Sequence, residues 1–69
     1  MWAIRKTSEY PEALGRAYLV CYGKGYWEFS ARSFAAEWEL YTDAQRVLND
    51  LVVNNRDLRN KVTLAWRAS

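Results

Sequence analysis

The chain contains no histidine and only one cysteine, Cys21. An internal disulfide is therefore impossible, and the usual structural zinc sites, built from clustered Cys and His, are excluded. Thiol catalysis loses its usual activating base as well. Cys21 has no histidine to lower its pKa, and within AYLVCY it reads as a small buried hydrophobe. No apolar run approaches the length of a membrane span, and no basic start followed by an apolar middle marks a signal peptide. The expectation is a cytoplasmic protein with a reduced thiol and no membrane contact. Charge of one sign is also scarce. Ten basic residues face eight acidic ones for a net of +2, too mild by itself to imply nucleic acid. No internal repeat, low-complexity tract or linker is visible, so the 69 residues read as one domain.

A domain of this size lies near the lower limit for folding without staples. Stability has to come from packing, and four Trp, five Tyr and two Phe supply it. Each aromatic ring buries a large area, so a few can build a core that aliphatic residues alone would fill poorly. A domain that dimerises to finish its core would show the same composition.

The firmest periodicity lies in Leu40 to Val53, LYTDAQRVLNDLVV. Ala44, Val47, Leu48 and Leu51 fall at i, i+3, i+4 and i+7, one stripe of an α-helix. Thr42 followed by Gln45 has the spacing of a capping box, and Asp43 suits the positive end of the helix dipole. Asn54 and Asn55 can stop the helix, because Asn tolerates the left-handed conformation.

The remaining segments read as a sheet for that helix to cover. Trp2 to Lys6 alternates, with Trp2 and Ile4 toward the helix and Ala3 and Arg5 away from it. Thr7 to Gly15 is a loop in which Pro11 could open one helical turn over Glu12, Ala13 and Leu14. Ala17 to Tyr22 is a second strand, Gly23-Lys24-Gly25 a tight turn, and Tyr26 to Phe29 the returning strand. The flanking glycines would supply the positive φ values of a short hairpin. Ser30 to Ala36 is either a short helix or an irregular crossing. Glu37 to Tyr41 is a short strand or an extended lead into the helix. After a polar loop, Lys61 to Arg67 alternates with Val62, Leu64 and Trp66 on one face. The fold class is therefore α+β: an antiparallel sheet of about four strands with one main helix on one face, in β-β-β-α-β order.

The pieces WAIRK, YLVCYGKGYWEF, YTDAQRVL and KVTLAWR, in that order, resemble the layout of small α+β proteins of bacterial phages and plasmids. Most such proteins are uncharacterised, and some inhibit host defence enzymes, CRISPR nucleases among them. The resemblance implies a mobile-element accessory factor and supplies no functional residue.

The chemical constellations are sparse. Glu37 and Glu39 would point to one face of a strand, roughly 7 Å apart, within the range glycosidases use. A chain this short can hardly build the long cleft those enzymes need, so a solvated acidic edge is the simpler reading. The glycines around Lys24 sit between strands, and a phosphate loop needs a longer glycine pattern opening a helix.

More content lies in the aromatic and basic residues of the face turned from the helix. With Leu19 and Cys21 facing the core, Tyr18 and Tyr22 would lie outward beside Arg5, Lys61 and Arg67. Such a face can dock a protein, since Tyr and Arg are favoured at hot spots. It can also stack bases and contact phosphates as single-strand binders do. The opposite parity would bury both tyrosines. Both faces of this strand are apolar, so a second covering surface is expected: the Ser30 to Ala36 segment, a partner, or a second copy of the chain. The reading is a non-catalytic binding protein without cofactor or metal. Its partner would be a host protein such as a defence nuclease, or itself as a homodimer. The alternative is a small single-stranded nucleic-acid-binding domain.

Overall fold

A computed structural model describes residues 1–7, 10–11 and 14–68. The helical turn expected over residues 12–14 lies largely outside the described residues. The strands are β1 (Trp2–Lys6), β2 (Tyr18–Gly23), β3 (Tyr26–Ser30) and β4 (Val62–Trp66). They form one antiparallel sheet in the order β3-β2-β1-β4. The helix α1 (Tyr41–Asn54) packs across one face, and 3-10 turns at Arg32–Phe34 and Arg56–Leu58 precede and follow it in the chain. The expected α+β architecture and its β-β-β-α-β order along the chain are those observed; the order of strands across the sheet was not specified by the sequence.

The core between helix and sheet consists of Ile4, Leu19, Phe29, Leu51 and Leu58, with Tyr22, Trp38, Val47, Leu48, Val62 and Leu64 packed against it. Three members, Ile4, Leu19 and Leu51, are fully buried. Each fully buried aliphatic side chain contributes about 1.5–3 kcal/mol of transfer free energy. The helix presents the stripe its spacing dictates, with Ala44 and Leu51 buried and Val47 and Leu48 partly so.

The helix ends are built differently from the expectation. The N-cap is Leu40, which has no polar side chain, and no side-chain cap bond forms. Tyr41 instead begins the helix, which places Thr42 one residue inside the first turn, exposed. The polar ladder runs from the Tyr41 hydroxyl to Gln45 Oε1 at 3.1 Å and from Gln45 Nε2 to Asn49 Oδ1 at 2.9 Å. At the other end Asn55 is not left-handed; its φ is −138°. It acts through its side chain, which is buried with the residue and donates to the Leu51 carbonyl at 3.0 Å and the Gly23 carbonyl at 3.3 Å. One satisfies an orphan carbonyl of the helix end, and the other ties that end to the β2–β3 hairpin. The left-handed asparagine is Asn60, φ 64°, in the turn before β4.

The hairpin loop uses one positive φ, at Gly25 (84°). The Tyr26 ring lies over Gly23, and a Cβ there would make that exposed ring move aside.

A bulge in β2 determines which side chains share a face. Leu19 pairs with Phe29, but Cys21 pairs with Glu28, so Val20 is an extra residue with no partner of its own. Side-chain parity inverts across it. Tyr18 and Cys21 point away from the helix, while Leu19 and Tyr22 point toward it.

The sheet is also forked. β1 and β2 pair at Arg5–Tyr18 and then diverge. The segment after β3 enters the gap: Ala36 donates its amide to the Leu19 carbonyl at 3.0 Å, and Trp38 exchanges two backbone hydrogen bonds with Trp2 at 2.6 and 2.8 Å. Ala35 packs on the far face against Ala3, Ala17 and Tyr18, whereas Trp38 packs into the core on the helix face. The chain therefore passes from one face of the sheet to the other through the fork. The segment of unsettled conformation is both things expected of it, a single 3-10 turn followed by an extended crossing.

Candidate functional site

The five residues expected at an interface do not form one surface. Tyr18 is 5% exposed and sits on the far face beneath Tyr10 and Ala35. The guanidinium carbons of Arg5 and Arg67 lie 5.6 and 5.4 Å from its ring centroid. Their Nε atoms are buried without a hydrogen-bond partner among the described residues. The π face of Tyr18 is what these cations meet. Arg67 is held further by the Arg32 carbonyl at 2.9 Å and by Glu37 at 3.5 Å. Tyr22, across the bulge, packs into the opposite core. Lys61 lines a separate cleft of about 290 Å³ with Lys6, Thr7, Tyr10 and Leu58. The far face of β2 at Tyr18 is thus covered within the chain, by Tyr10, Ala35 and the side chains of Arg5 and Arg67.

The other candidates resolve into structural roles. Glu37 pairs with Arg67 instead of facing Glu39. Cys21 is exposed, contrary to its expected burial, because the bulge turns it outward. Its thiol donates to Glu28 Oε2 at 3.6 Å. Its pKa is raised by desolvation, by that hydrogen bond and by the charge of the carboxylate, which works against a reactive thiolate. Among the described residues no group of three or more His, Cys, Asp or Glu could hold a metal ion. Nor, among the described residues, is any helix long and apolar enough to cross a membrane.

The feature left for recognition lies at the end of the sheet where the helix begins. Met1 and Arg67 exchange backbone hydrogen bonds of 2.7 and 2.8 Å. The next pair, Trp2–Trp66, is consequently a non-hydrogen-bonded pair, the position where antiparallel side chains come closest. The two indoles meet edge to face with centroids 5.2 Å apart. Tyr41, the first helical residue, packs edge-on against Trp2 at 5.0 Å. Leu40 precedes it. Trp66 is 61% exposed, Leu40 60% and Tyr41 51%. The apolar stripe of α1 starts only at Ala44, and these rings cluster beyond its reach. The acidic residues Glu37 and Glu39 flank Trp38, which is paired to Trp2. Sequence reading assigned Trp2 and Trp66 to the helix-facing side, where they are. What it missed is that the helix stops short of covering them, a matter of register between the helix start and the sheet end.

Compared with known protein families, curated proteins and solved structures, the chain matches none.

Proposed function

We propose that this chain is a non-catalytic binding protein that uses the Leu40–Tyr41–Trp2–Trp66 patch to dock on another protein and block it. The observation that carries this reading is the exposure of Trp66, Leu40 and Tyr41, each more than half open to solvent, around the Trp2 ring. Tryptophan and tyrosine dominate interface hot spots, and clustered exposed rings in a small domain mark a surface awaiting a cover. The resemblance of the segment order WAIRK, YLVCYGKGYWEF, YTDAQRVL, KVTLAWR to small phage and mobile-element proteins favours a host protein, such as a defence nuclease, as the class of partner.

Single-stranded nucleic acid is the weaker reading. Stacking platforms for bases carry cations to meet the phosphates. Here Glu39 and Asp43 lie beside Leu40 and Tyr41 in sequence, and the cation next to Trp66, Arg67, is turned to Glu37, Arg32 and Tyr18.

The test is affinity capture from a bacterial host lysate with the wild type and with Tyr41→Ala/Trp66→Ala, followed by titration of the captured protein. The double variant should bind at least roughly 30-fold more weakly, as loss of hot-spot residues does. Binding by the wild type should change little between low and moderate salt. A steep loss of affinity with salt would indicate phosphate contacts instead, and equal binding by both chains would remove the patch from the function.

A further inference from the structure

We infer that the free edge of β4 is a self-pairing strand, and that two copies of the chain join there about a two-fold axis at Leu64 to make one continuous eight-stranded sheet. The hydrogen-bond pattern fixes which backbone groups are free. Residues 61 and 67 bond toward β1, through Thr7 N–H to the Lys61 carbonyl at 3.1 Å and the Met1–Arg67 exchange. Alternation then directs the N–H and C=O groups of Val62, Leu64 and Trp66 outward. In a two-fold antiparallel pairing, Leu64 meets its own copy and Val62 meets Trp66 of the other chain. All of these outward groups then gain partners.

The side chains suit that register. β4 reads VTLAW, with no charge and no proline to blunt the edge, whereas β3 at the other edge carries Glu28. Val62, Leu64 and Trp66 share the helix face, so each exposed Trp66 would cover the smaller Val62 across the axis. On the far face the register brings Thr63 beside Ala65, two small side chains. At its ends Lys61 of one copy reaches Arg67 of the other. Arg67 does not stand alone there, because Glu37 lies 3.5 Å from it. The Arg67 guanidinium is turned inward over β2, toward Glu37, the Arg32 carbonyl and the Tyr18 ring, and so away from the incoming ammonium. The helix does not obstruct the approach. Strands are spaced about 4.8 Å apart, so helices lying over β1 and β4 of each copy would run about 10 Å or more apart, at or beyond packing distance.

Sedimentation equilibrium of the full chain from micromolar to millimolar concentration, with amide hydrogen exchange at both ends of that range, tests the inference. The wild type should approach twice 8.1 kDa. The amides of Val62, Leu64 and Trp66 should become protected as concentration rises, while protection along β3 stays constant. Trp66→Lys should raise the dissociation constant by roughly tenfold or more. The exchange readout needs no variant, so it stands even if that substitution perturbs the fold. A wild type that stays monomeric at millimolar concentration overturns the inference, as does a dimer whose newly protected amides lie elsewhere. Both measurements use the purified chain alone, so the result is independent of whether a host partner exists.

Discussion

At the residue scale, the same amino-acid type plays opposite parts according to which side of Val20 it occupies. Tyr18 is sealed on the far face between two arginines, and Tyr22 belongs to the helix-side core. Tyr18→Ser should therefore destabilise the chain by about 3–5 kcal/mol, the cost of truncating a buried aromatic. Two packed cations would also lose the ring they face. For a domain of ordinary marginal stability this is most of the total, and a denaturant melt should show the native baseline shortened or lost. Thr42→Ala is the contrasting case. Thr42 matches the sequence pattern of a cap, but the helix begins one residue before it and its side chain makes no cap bond. The midpoint of the same melt should move by no more than about 0.5 kcal/mol. A capping box is a spacing, and spacing alone does not say which residue takes the extended backbone conformation. Leu40 takes it here, at φ −98° and ψ 133°.

At the scale of elements, the helix, its apolar stripe and the four strands in β-β-β-α-β succession were legible in the sequence, but not the β3-β2-β1-β4 arrangement across the sheet. Periodicity is a local property, and each segment repeats for long enough to show it. Parity along β2 was not legible. The bulge adds one residue without altering the apolar character of AYLVCY, so no pattern of polar and apolar residues marks it. That one register shift separates the two tyrosines and brings the thiol to the surface, so the candidate interface built on unbroken alternation dissolves. The patch at Trp2, Tyr41 and Trp66 was hidden for a related reason: where a helix starts along a sheet is a tertiary quantity. The junction between α1 and the hairpin offers a sharper test. Asn55 is 4% exposed and its amide donates to carbonyls on two elements. Asn55→Ala leaves both acceptors without it and should cost about 1–3 kcal/mol. In a thermal melt Asn55→Ala should fall well below Asn54→Ala, since Asn54 is exposed and its side chain donates to the Asp50 carbonyl one turn back in the same helix.

At the scale of the whole molecule, the sheet consists of two strand pairs, β2–β3 and β4–β1, joined directly at Arg5–Tyr18 and otherwise bridged by the crossing segment. The pairs differ in how far apart their residues lie along the chain. β2 and β3 are neighbours through a two-residue turn, and isolated hairpins of that kind close in about 1–10 μs. β1 and β4 stand at opposite ends of the chain, with Met1 bonded to Arg67. Pairing β1 with β4 closes a loop spanning residues 6–62, whose entropy has to be overcome before that pair forms, so we expect it to form late. Until then β1 has no β4 beside it and stands as a bare edge. In a cell this orders synthesis against assembly: β4 leaves the ribosome after the other three strands of the sheet, so β1 waits unpaired on that side until β4 has been made.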